Sequence, residues 1–184
     1  MKRKQSVCLF LVFVWLNTLF LIGQVRKENE LYTKLKKLKL FKSNRQDVES
    51  LFKYTIRKET DGSEGYKTVY YDLRGAKLTV DYSTGQCSEH RSKQGYDVSR
   101  DTVFGVSLSY RRLLKFSSFD FDLTRFEKYA ETDNNAIIYT NEELGIELIG
   151  GKDVIRRIEF SPTEIEEERY RCKESFSKAS TTQN

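Results

Sequence analysis

The 184-residue sequence holds one histidine (His90), one proline (Pro162) and three cysteines (Cys8, Cys87 and Cys172). Each scarcity excludes something. A single histidine removes most histidine-based triads that also need a spare base. With two cysteines beyond the first 23 residues, a zinc site would need both thiols reduced, the one histidine and a carboxylate. Near absence of proline leaves the strand backbones free to pair, because proline alone lacks the N–H that a sheet ladder uses. The chain also has no glycine-rich phosphate loop, no Gly-x-Ser-x-Gly elbow and no His-Glu-x-x-His motif.

What stands at the start is an export leader. Lys2, Arg3 and Lys4 precede "VCLFLVFVWLNTLFLIG", a mostly apolar run ending at Gly23. A charged start before such a run directs export. Residues 1–23 are either a cleaved signal peptide or a retained N-terminal membrane anchor. Gly23 suits cleavage, bulky Leu21 does not, and the run is short for a bilayer span. Three N-terminal cations keep the start cytoplasmic and send the rest outside. The expected location is periplasmic or extracellular, with a tether to the cytoplasmic membrane if the leader is kept.

Charge is uneven along the chain. Residues 26–58 carry 11 Lys/Arg and 4 Asp/Glu, whereas residues 120–174 carry 8 and 15. Without the three leader cations the net charge falls from +5 to +2, so the high pI argues for no nucleic-acid partner. The two halves either face each other and solvate the surface, or the basic stretch meets an anionic membrane surface or polyanion through Lys34, Lys36, Lys37, Lys39 and Lys42. Leu31, Leu35 and Leu38 share one helical face, as in an interfacial helix. Residues 24–39 read as a basic linker before a single domain at 40–173. The polar tail at 174–184 reads as disordered.

Cys87 stands three residues before His90 in "CSEH". A nucleophilic pair, a metal site and a disulfide are the three readings. Catalytic pairs usually meet through the fold rather than in sequence, and an exported chain with an even number of cysteines usually pairs them. A Cys87–Cys172 disulfide is therefore expected. Closing so long a loop would stabilise the fold by roughly 4 kcal/mol. No metal or other cofactor is expected.

The segment "KSNRQDVESLF" predicts a short helix with Ser43 and Gln46 as a capping box, and "KETDGSEG" predicts a loop. Six stretches alternate with period two: "YKTVYYDL", "AKLTVDYS", "DTVFGVSLSY", "NAIIYTN", "LGIELI" and "DVIRRIEFS". Arg74 and Gly75 turn the first pair; Gly150 and Gly151 turn the last. Phe116, Phe119, Phe121 and Phe126 fit core packing beneath a long connection, or an aromatic ligand patch. Ser161, Pro162 and Glu164 predict the start of a short C-terminal helix or turn. The fold class is α+β: an antiparallel sheet of about six strands with one short N-terminal helix and a short C-terminal helix or turn.

In order, "KSNRQDVESLF", "VDYSTGQC", "GYDVSRDTV", "YTNEELGIEL", "IRRIEFSP" and "RC" resemble the landmarks of small bacterial exported proteins of unassigned activity. The resemblance covers about residues 40–172 and implies that both cysteines are family landmarks, which favours the bond. The opening helix also resembles that of small outer-membrane assembly lipoproteins. This chain lacks their lipid-bearing cysteine and the Leu-Gly-x-Pro end of that helix, so this second likeness concerns fold alone. The expected function is an exported, non-enzymatic binding or envelope-associated domain that meets a protein or envelope component. The alternatives are a carboxylate-dependent envelope hydrolase, for which Asp120 and Asp122 would share one strand face, and a peripheral membrane or polyanion binder using residues 34–42.

Overall fold

The computed structural model of the chain describes residues 30–61, 65–87, 95–131 and 136–173. Their frame is one antiparallel sheet of eight strands: β1 Tyr54–Asp61, β2 Tyr66–Leu73, β3 Ala76–Ser83, β4 Val103–Lys115, β5 Glu127–Glu131, β6 Ala136–Asn141, β7 Ile146–Gly150 and β8 Val154–Phe160. Their order is β1-β2-β3-β4-β8-β7-β6-β5. Among the described residues a helical stretch at 30–35 and two short helices flank them, α1 at Arg45–Leu51 and α2 at Glu164–Tyr170. The α+β antiparallel expectation holds, with two strands more than the alternation indicated.

Period-two alternation builds the core by register. Tyr71, Leu78, Leu108, Ile158, Leu148 and Tyr139 are successive cross-strand partners on six neighbouring strands. All six are buried. One face of the sheet thus reads as an unbroken apolar ladder, the arrangement that fixes register most firmly. Val48 and Phe52 of the α1 region cover this ladder together with Tyr32 and Leu35. The phenylalanines of the connection between β4 and β5 also pack on it, with Tyr32 lying 5.3 Å from Phe119 and 5.0 Å from Phe121 between ring centroids. They are partly buried and pack against the core, as the first of the two readings expects.

Four local expectations change. The stretch read as the end of a basic linker is helical at 30–35 and supplies Tyr32 and Leu35 to the core. Its leucine face therefore meets the sheet, not lipid. Lys58–Asp61, read as loop, belongs to edge strand β1. The cap of α1 is Asn44 with Asp47, one residue on from Ser43 and Gln46. Ser43 is engaged otherwise: its hydroxyl accepts the Lys39 N–H at 3.0 Å and its carbonyl accepts the Val103 N–H at 2.9 Å. Thr163 with Glu166 caps α2, because the Ser161 N–H is held by the Gly145 carbonyl at 2.9 Å. Among the described residues no helix is long and apolar enough to cross a membrane.

Candidate functional site on the uncovered sheet face

Alternation sends the other half of each strand's residues to the face away from this ladder. Two polar rows cross it. One runs Asp72, Lys77, Ser109, Arg157, Ile149 and Ile138; the other runs Thr79, Ser107, Glu159, Glu147 and Thr140. Register slips between Ser109 and Leu114 on β4 and between Ile149 and Gly150 on β7. Such irregularities bend and twist a sheet locally. An open groove of about 1010 Å³ lies beside them.

The tight β7–β8 turn at the end of this groove requires a glycine. A Cβ on Gly150 would lie 1.9 Å from the Val154 carbonyl oxygen. The groove lining combines Ile138, Ile149 and Val154 with four cations, Lys77, Arg111, Arg156 and Arg157, and two carboxylates, Asp72 and Glu147. Four against two leaves a net of +2. Asp72 is bound by Arg111, and Lys77 sits 4.3 Å above the Tyr70 ring.

Beside the groove, Glu147 and Glu159 are directly opposite on adjacent strands. Like charges so placed repel. Burial pushes the Glu159 carboxyl upward; Arg157, 3.5 Å away, opposes this, while the charges of Glu147 and Asp81 add to it. Burial also raises Asp81, against a 2.6 Å hydrogen bond from the Thr68 hydroxyl. Both carboxyls hold their protons more tightly than an exposed acid does.

The carboxylates singled out from sequence behave oppositely. Asp120 and Asp122 lie outside any strand, in the connection between the 3-10 turns Phe116–Ser118 and Leu123–Arg125. They share no strand face. Asp120 is held below its usual range first by the 2.6 Å bond from Lys36, and Asp122 first by the Thr124 hydroxyl. Neither is suited to act as a general acid. Among the described residues no cluster of three metal-ligating side chains occurs.

The five candidate lysines divide. Lys34 pairs with Glu30 at 2.8 Å, and Lys36 pairs with Asp120 while lying 4.7 Å from the Tyr32 ring centroid. Lys37, Lys39 and Lys42 are exposed and make no ion pair among the described residues. Cys87 and Cys172 are joined, with 5.5 Å between their α-carbons. His90 lies outside the described residues, as do residues 1–29 and 174–184. A sulfur held in a disulfide is not a nucleophile, so the Cys87/His90 pairing has no thiolate to use.

Comparison of the chain with protein-family models, curated proteins and solved structures finds no match. Sequence reasoning missed Asp81, Glu159 and the groove. Alternation already placed Asp81 on the face away from Val80. What alternation could not supply was the pairing of β4 with β8, which sets Ser107 beside Glu159 and Ser109 beside Arg157.

Proposed function

We propose that the protein is an exported, non-enzymatic binding domain of the bacterial envelope, and that the groove on its uncovered sheet face receives an acidic, partly apolar segment of a protein partner. The observation that carries this reading is the lining of the groove: an isoleucine floor bordered by four cations against two carboxylates. A concave site with apolar walls and a few convergent charges suits recognition of a ligand with both characters. The excess of positive charge selects an acidic one. Export rests on the leader sequence, and the even pair of later cysteines supports it.

The test is site-specific photocrosslinking in cells, with the crosslinker at Ile138 on the groove floor or at Ser50 on α1. A discrete adduct from Ile138, absent from Ser50 and lost on combined Arg156→Glu and Arg157→Glu substitution, is expected. Equal adducts from both positions, or adducts indifferent to the charge reversal, would remove the groove as the binding surface.

A further inference from the structure

The groove leaves the basic N-terminal stretch unused. Between Glu30 and Asp47 the sequence contains no carboxylate at all. Tertiary contacts neutralise Lys36 through Asp120 and Arg45 through Glu59 and Asp101. Lys37, Lys39 and Lys42 are left on two consecutive turns, where the Lys42 N–H bonds the Lys39 carbonyl at 3.2 Å. Lys42 and Arg100 line an open depression of about 470 Å³ with the neutral polar groups of Asn44, Ser99 and Thr102. Its one carboxylate, Asp97, accepts the Cys87 N–H at 3.3 Å.

Position along the chain supplies the partner. The apolar run ends at Gly23, and residues 24–29 separate it from the first described residue. Six extended residues reach on the order of 20 Å. A chain held in a bilayer by that run therefore keeps the 30–42 surface near the membrane face. The leucines of the same stretch are committed to the core, so they cannot enter lipid. What remains available for contact is charge.

We propose that Lys37, Lys39 and Lys42 dock the domain on anionic lipid headgroups of the membrane reached by the N-terminal apolar run, by charge and without inserted apolar side chains. Each lysine near an anionic bilayer surface strengthens attraction about fivefold, within a Debye length. The contact is consequently salt-sensitive. It holds one end of the sheet toward the membrane, separately from whatever occupies the groove.

The test uses the full chain reconstituted in vesicles of phosphatidylcholine alone or phosphatidylcholine with phosphatidylglycerol. Amine-labelling rates are read lysine by lysine by mass spectrometry. Labelling of Lys37, Lys39 and Lys42 is expected to slow about fivefold on the anionic vesicles and to recover at high salt. Lys58 and Lys77, on the uncovered face, should label alike in both. Equal rates at Lys37, Lys39 and Lys42 in the two vesicle types would overturn the proposal. So would equal protection by free inorganic polyphosphate without vesicles, since that assigns the lysines to a soluble polyanion.

Discussion

Asp81 and Gly105 are cross-strand partners, and the missing side chain of the second makes room for the carboxylate of the first. A Cβ on Gly105 would lie 3.1 Å from the Asp81 carboxylate oxygen, and the other oxygen is held by Thr68. Gly105→Ala is expected to destabilise the protein by about 1 kcal/mol through crowding. Combined with Asp81→Ala, the penalty should largely vanish, because the obstructed atoms are gone. Urea unfolding of the two single variants and the double variant measures this; strict additivity would mean that the carboxylate is not what Gly105 accommodates.

Acidity on the uncovered face sets a pH dependence. Asp81 and Glu159 are both raised, first by burial, from ordinary values of 3.8 and 4.5. The folded state therefore binds these protons more tightly than the unfolded chain does. Their contribution to stability is complete below the ordinary values and is lost as pH rises through the folded ones. Asp81→Asn and Glu159→Gln should each raise stability at neutral pH and flatten its decline above about pH 4. Thermal melts across a pH series provide the measurement, and a steeper decline in either variant would contradict the assignment.

The disulfide spans 85 residues. Its loss should cost about 4 kcal/mol in the chain-entropy account. Cys87→Ser, Cys172→Ser and the double variant should be destabilised alike, since all three lack the same bond. Thiol titration of denatured, unreduced protein should find none beyond Cys8. Two further reactive thiols in oxidised protein would refute the bond.

Helix capping gives a residue-level check on α1. Asn44 accepts the Asp47 N–H at 3.1 Å, while the Asp47 carboxylate accepts the Asn44 N–H at 2.8 Å. Asn44→Ala should cost about 1 kcal/mol, and Asn44→Ser should recover most of it. Denaturant midpoints of the two variants decide the matter; indifference to Asn44→Ala would mean that packing of Val48 alone holds the helix.

Six strands were legible because their inward residues are apolar and their outward residues polar. Strand β1 was not. On the side facing α1 it carries Arg57 and Glu59, whose charges are met by Glu49 at 2.8 Å and by Arg45 at 3.1 Å. Charges satisfied by a distant segment erase the alternation that identifies a strand. Strand β5, "EKYAE", is short and charged for an edge. The helical face of Leu31, Leu35 and Leu38 was equally legible, but periodicity names a buried stripe without naming what covers it. The cysteine pair was readable from the count and the apolar N-terminal run alone. The groove was not, because it exists only where β4 meets β8, partners separated by three intervening strands in the sequence.

That junction also divides the sheet into two halves. Strands β1–β4 and β5–β8 each form a meander of sequence neighbours, and only β4 against β8 joins them. Local pairings cost less loop-closure entropy than the distant one. Cys87 follows β3 and Cys172 follows β8 and α2, so one sulfur travels with each half. Docking of the halves brings the two α-carbons to 5.5 Å, so assembly of the sheet favours the bond. The bond acts as a second clasp between two meanders that the sheet itself joins along one strand pair.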